Sequence, residues 1–123
     1  MPLHPVTFGL IALVAALHAM FLVLEMFLWE RPIGRRIFRT TAEDARAGAV
    51  LAKNQGLYNG FLAAGLVVGL RDAGTPSGNA FIVFFLGAVI IAGLYGAATA
   101  SRGILFIQAL PAAAALTSYS LLG

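Results

Sequence analysis

The stretch VTFGLIALVAALHAMFLVLEMFLW, Val6–Trp29, decides the fold. It carries one formally charged residue, Glu25. At ~1.5 Å of rise per residue it is long enough to cross the ~30 Å hydrocarbon core of a bilayer as a helix. An ionisable group at the centre of such a span costs about 2.5–3.5 kcal/mol on insertion scales, and by default it marks a functional position. His18 precedes Glu25 by seven residues, close to two turns, so both lie on one helical face. They are ~10 Å apart along the axis, too far to bond directly. Each needs a partner from another helix, a water or a ligand.

Composition agrees with a membrane location. Of the 123 residues, 60% are hydrophobic and 11% charged, and the mean hydropathy is +0.91. Soluble domains run at about 45–50% apolar and about 25% charged. The length suits one domain, residues 1–123. Cysteine is absent, which excludes disulfides, thiolate nucleophiles and cysteine-based zinc sites. With two histidines, one of them His4 in the N-terminal tail, a closed imidazole metal site within one protomer is not expected. No Walker A loop, dinucleotide-binding glycine fingerprint or HExxH motif is found.

Four apolar stretches predict four helices, at about 6–29, 42–70, 80–100 and 104–122, in an all-α integral membrane four-helix bundle. RDAGTPSGN, 71–79, reads as a turn. Arg102 and Gly103 leave a tight connection between the last two helices. Thr41-Ala-Glu-Asp44 fits a capping box, which starts the second helix near Ala42, its first turns partly outside the membrane. The N-terminus lacks the basic region of a cleaved signal peptide, and its apolar run is too long for one.

Arg31, Arg35, Arg36, Arg39, Arg46 and Lys53 fall between the first two spans and Arg102 between the last two; Arg71 alone lies on the other side. This bias places both loops in the cytoplasm, the long one between helices one and two, and both termini outside. It also accounts for the sequence pI of about 10.0 without nucleic acid as a partner. Anionic lipid head groups are a secondary partner for the basic loop.

Placed by depth, the polar side chains form one layer near the cytoplasmic face. Trp29 marks the interface, and Glu25 lies ~6 Å inside it. Asn54, Gln55 and Tyr58 enter on the second helix, Tyr95 on the third and Gln108 on the fourth. Asn59 falls nearest the depth of His18. Four polar side chains (Asn54, Gln55, Tyr58, Asn59) in six residues exceed what packing requires and point to a site. Two plainer readings stand beside this one. Glu25 can serve as packing glue bonded to Asn54 or Gln55, and His18 can bond a backbone carbonyl or an Asn. Gly56-xxx-Gly60 and Gly65-xxx-Gly69 are small-residue spacings that let helices approach closely.

At LEMFLWERPIGRRIF (Leu24–Phe38) and LAKNQGLYNGFLAAGL (Leu51–Leu66) the chain resembles a bacterial family of small four-helix integral membrane proteins known only as a domain of unknown function. The resemblance covers almost the whole chain. It implies a multi-pass protein of the bacterial inner membrane, and it adds weight to Glu25, Trp29, Asn54, Gln55, Tyr58 and Asn59, which occupy the motif positions. It implies no activity.

A weaker resemblance is to the eicosanoid and glutathione metabolism membrane enzymes. They are trimers of four-helix subunits that use glutathione between subunits. Asn54, Tyr58 and Phe61 follow their second-helix pattern, whereas Leu57 stands where they carry Glu and Lys53 where they carry Arg. The small multidrug exporters also have four helices and one essential Glu in the first, but Glu25 lies nearer an interface than the midplane position typical of transporter sites.

These readings combine into a homo-oligomeric bundle with a polar pocket, open to the cytoplasmic leaflet, that binds or converts a small lipophilic molecule. Glu25 would act as acid, base or charge partner, with His18 below it. Asn54, Gln55, Tyr58, Asn59, Tyr95, Gln108 and Trp29 would hold the ligand. The alternatives are proton-coupled transport through Glu25 and a purely structural or partner-binding role. The sequence names no cofactor and leaves open whether the chain is an enzyme.

Overall fold

The computed structural model describes residues 2–123; Met1, the first residue of the expected domain, lies outside the described residues. The described elements are all helical: α1 (Pro5–Met26), α2 (Pro32–Phe38), α3 (Ala42–Ala47), α4 (Ala49–Arg71), α5 (Pro76–Thr99) and α6 (Leu110–Leu122), the last preceded by a π-helical segment, Leu105–Ala109. Among the described residues, three helical stretches are both long and apolar enough to cross a membrane: Pro5–Met26, Pro76–Thr99 and Leu105–Leu122. The 23-residue α4 is as long, but its first half holds Lys53, Asn54, Gln55 and Asn59.

Helix ends follow local chemistry. The helix expected over 42–70 is divided at Gly48 into α3 and α4. The Gly48 N–H bonds the Asp44 carbonyl and the Ala52 N–H bonds the Gly48 carbonyl, so the hydrogen-bond ladder runs almost unbroken through the joint. α5 begins four residues before the expected Ala80. Thr75 caps it, its hydroxyl accepting from the Gly78 N–H at 3.1 Å and donating to the Asp72 carbonyl at 2.6 Å, while Pro76 fills the first turn, where no N–H is needed. The expected turn is therefore confined to residues 72–75, with Gly74 at φ 88° supplying the left-handed residue. Arg71 donates to both carboxylate oxygens of Asp72, at 2.9 and 2.8 Å, and these hydrogen bonds hold the Asp72 carboxyl below its usual range. The π-helical segment has a local cause. Pro111 has no N–H, and its ring crowds the carbonyl four residues back, so the preceding turn widens and the Leu110 N–H bonds the Leu105 carbonyl.

Two compact units are present, one of residues 2–17 and 62–123 and one of residues 18–61. In the first, Ile11, Val14 and Ala15 of α1, Leu66 of α4, Ile82, Leu86 and Val89 of α5, and Ala112 and Ala115 of α6 form a buried apolar core. The Thr7 and Ser118 hydroxyls share a 2.6 Å hydrogen bond between α1 and α6. The His4 N–H donates to the Gly123 carbonyl at 2.8 Å, bringing the two chain ends together. The small-residue spacing Gly65-xxx-Gly69 seats α4 on α5: a Cβ on Gly65 would fall 2.4 Å from the Phe85 ring and one on Gly69 2.9 Å from the Ile82 side chain. The backbones of α5 and the π-helical segment meet closely at Gly93, where a Cβ would lie 2.6 Å from the Ala109 nitrogen.

That contact is with backbone and cannot rotate away, so Gly93→Val is expected to destabilise the protein by about 1–3 kcal/mol. Gly87 faces open space, so Gly87→Ala should leave thermal unfolding in detergent unchanged or raise its midpoint. Equal midpoints for the two variants would contradict the packing.

Candidate functional site

The second unit is built on the end of α1. The Phe27 and Leu28 N–H groups both bond the Val23 carbonyl, at 3.0 and 3.2 Å, which closes the helix at Met26 rather than at Trp29. The chain then turns back on itself. The Trp29 indole N–H donates to the Ala45 carbonyl at 2.9 Å, and the indole packs on Phe38 with ring centroids 4.9 Å apart. Gly34 of α2 lies so close to Leu28 that a Cβ would fall 1.9 Å from the Leu28 carbonyl oxygen. α2 ends where Arg39 takes the left-handed conformation, φ 54°, and the Thr40 N–H reaches back to the Arg35 carbonyl at 3.0 Å. α3 starts as the sequence indicates, the Thr41 hydroxyl accepting from the Asp44 N–H at 3.1 Å with Glu43 and Asp44 in the first turn. The long loop is thus two short helices clamped by one tryptophan.

The first half of α4 lies against the end of α1 through its other glycine pair. A Cβ on Gly56 would sit 2.7 Å from Met26 Cγ, 3.1 Å from Glu25 Cβ and 3.2 Å from the Leu22 carbonyl oxygen; one on Gly60 would sit 2.4 Å from Leu22 Cδ1. This seating sets the register and places Asn59 opposite Glu25. Asn59 Nδ2 donates to Glu25 Oε1 at 2.5 Å. Asn54 and Gln55, the partners expected for a packing role of Glu25, are instead exposed, and Asn59 sits at the level of Glu25 rather than of His18. Depth counted from Trp29 misjudges this register, because Trp29 is not on α1.

The pair has a definite chemistry. An ionised Glu25 accepts from the Asn59 amide N–H. A protonated Glu25 can donate to the Asn59 carbonyl oxygen after an amide flip. A proton can therefore enter or leave without loss of the hydrogen bond between the helices.

The other expected residues are placed as follows. His18 is fully buried, its ring edge-on to Phe21 with centroids 5.7 Å apart. Asn54, Gln55 and Tyr58 lie on the exposed side of α4, Tyr58 edge-on to Phe61 at 5.8 Å. The Trp29 N–H is taken by Ala45. In the first unit, Tyr95 is exposed and lines a shallow hollow of about 660 Å³ on α5 with Gly87 and Ile91, and Gln108 is half-buried in the π-helical segment. A second groove of about 780 Å³ opens beside the chain ends, lined by Leu3, Gly74, Asn79, Tyr119 and Ser120, and contains none of the expected site residues. Sequence reasoning missed Gly56 and Gly60 as the residues that seat Glu25. Their signal was the four-residue glycine spacing flanking Asn59.

Gly56→Ala should loosen this seating, since its new methyl would crowd Met26 Cγ, Glu25 Cβ and the Leu22 carbonyl oxygen together. A loss of about 1–3 kcal/mol is expected. Gly60→Ala meets only the end of a flexible leucine side chain and should cost less. Thermal unfolding that ranks the two variants in the opposite order would contradict the register.

No curated protein and no solved structure matches the chain. Residues 12–120 match the family described as a protein of unknown function, DUF1304, a span that contains Glu25, Asn59 and both glycine pairs. The chain belongs to the DUF1304 family.

Proposed function

We propose that this is a multi-pass protein of the bacterial inner membrane, one membrane domain in which α1, α4, α5 and the stretch 105–122 cross the bilayer and both termini face outside. Its function would be to hold a small lipophilic molecule, by a polar end, at a site centred on Glu25 and Asn59 near the cytoplasmic leaflet. The observation that carries this reading is the Asn59–Glu25 hydrogen bond, a carboxyl and an amide facing each other, half-buried, where Gly56 and Gly60 let α1 and α4 approach. Asn54, Gln55 and Tyr58 extend the polar surface of α4 beside the pair, and His18 contributes from two turns below. Chemical conversion of the bound molecule, with Glu25 as acid or base, is the enzymatic form of the same reading. Exposed amides on a helix at the membrane boundary also favour a second copy of the chain as neighbour, since an amide both donates and accepts.

The orientation rests on seven basic residues against one, and that one, Arg71, is tied to Asp72. The chain has no cysteine, so each introduced thiol is unique. Cysteine at Arg36 should react with membrane-impermeant reagents only from the cytoplasmic side and cysteine at Gly74 only from outside; the reverse pattern would overturn the orientation.

Proton-coupled transport is the second reading, favoured by a pair that keeps its hydrogen bond in either protonation state. The two part on one experiment. A binding site predicts a co-purifying lipophile, identified by extraction and mass spectrometry, that is lost in Glu25→Gln while the protein stays folded. Exchange predicts stoichiometric proton release from the purified protein on adding a hydrophobic cation, absent in Glu25→Gln. If neither is observed, the role is structural and the proposal fails.

A further inference from the structure

The second unit contains a feature that the Glu25 site does not use. α2 is short, basic and amphipathic. Ile33 and Ile37, one turn apart, are 50% and 51% exposed although both are large and apolar. The opposite side and flank carry Arg35, Arg36 and Arg39, with Arg31 just before the helix. Arg31, Arg36 and Arg39 are exposed, and among the described residues none of their side chains has a hydrogen-bonding or ionic partner.

The position of α2 along α1 says what meets this surface. α1 has 22 residues, about 33 Å of helix, close to the thickness of the hydrocarbon core. Residues just past Met26 therefore fall at head-group level. Gly34 is held against the Leu28 carbonyl and Phe38 against Trp29, which fixes α2 at that level. An exposed apolar pair belongs against acyl chains there, and unpaired guanidinium groups belong against phosphates, which they bind as planar multidentate donors.

We propose that α2 is an anionic-phospholipid site: Ile33 and Ile37 enter the boundary of the acyl region, and Arg31, Arg36 and Arg39 hold the phosphate of an anionic phospholipid in the cytoplasmic leaflet. Charge complementarity selects this occupant. α2 and its two flanking residues, Arg31 to Arg39, carry four arginines; the nearest acids, Glu30, Glu43 and Asp44, lie outside the helix. A zwitterionic head group offsets its own phosphate with an ammonium group, which four arginines disfavour.

The chain provides its own reporter, since its single tryptophan packs on α2 through Phe38. Short-chain phosphatidylglycerol or phosphatidylcholine is titrated into the full-length protein in neutral detergent. Binding is read from Trp29 emission and from lipid retained in native mass spectrometry. Phosphatidylglycerol should shift the emission and stay bound, and phosphatidylcholine should do neither. Each arginine removed should weaken binding about fivefold, so Arg36→Gln with Arg39→Gln should weaken it about 25-fold. Arg36→Lys with Arg39→Lys, which keeps the charge but not the planar donor pair, should recover only part of the affinity, and Arg71→Gln at the far end of α4 should have no effect. Inorganic phosphate at millimolar concentration should not displace the lipid, because the isoleucines contribute to binding. If the glutamine variant does not fold, the unmodified protein in 0.5 M salt replaces it, and binding should fall there as well. Equal retention of the two lipids, affinity insensitive to both salt and arginine substitution, an equal loss in Arg71→Gln, or displacement by inorganic phosphate would each overturn the proposal.

Discussion

The second unit depends on one hydrogen bond, between the Asn59 amide and the Glu25 carboxyl. In a hydrocarbon setting neither group finds water, and leaving either without a partner costs several kcal/mol. The two can satisfy each other only if their helices come close and in one register. Gly56 and Gly60 permit the approach, and the fit of Gly56 to the Leu22 backbone defines the register. Shifting α4 by one residue along α1 would move Asn59 off the seam and leave Glu25 among apolar side chains. The pair thus joins the two helices at one register. A buried polar group used to fix register is a recurrent device in helix assemblies.

α4 uses the same four-residue glycine spacing twice, for different purposes. Gly65 and Gly69 receive the bulky side chains of Phe85 and Ile82 from α5, and the nearest side-chain atoms there are all apolar. Gly56 and Gly60 lie against α1 and frame Asn59. The first pair serves packing and the second serves packing around a polar contact. The turn beyond α1 is held as firmly: Trp29, Gly34, Phe38 and the Thr41 cap convert a stretch of arginines into two ordered helices.

The apolar helices were legible in the sequence because their signal is local: a run long enough to span a bilayer, an N-cap threonine, a glycine between helices. Thr41 starts α3 as its motif indicates. Thr75-Pro76 carries the same kind of information, but its neighbours Gly74, Ser77 and Gly78 read as turn residues and hid a helix cap. The widened turn before Pro111 was not legible, since a proline near a helix start is ordinarily harmless and its effect depended on helix continuing upstream. Glu25 was legible as a candidate, because a carboxyl in an apolar run stands out on composition alone. Its partner was not. Choosing among Asn54, Gln55 and Asn59 requires the register of two helices distant in sequence, and the contacts of Gly56 with Leu22, Glu25 and Met26 decide that register. Trp29 misled for a related reason: its place in the chain suggested a continuing helix, whereas its indole N–H is used to fold the chain back.

A double-mutant cycle on Glu25 and Asn59 is the most direct test of the central claim. Glu25→Leu, Asn59→Leu and the double variant would be compared with the unmodified protein by reversible unfolding in mixed micelles. Polar pairs between membrane helices couple by about 0.6 kcal/mol on average and up to about 1.7. A joint that sets the register of α1 against α4 should fall toward the upper end, about 1 kcal/mol or more in favour of the intact pair. Additivity of the two single effects within about 0.3 kcal/mol would mean that the carboxyl and the amide do not act together, and would contradict the account.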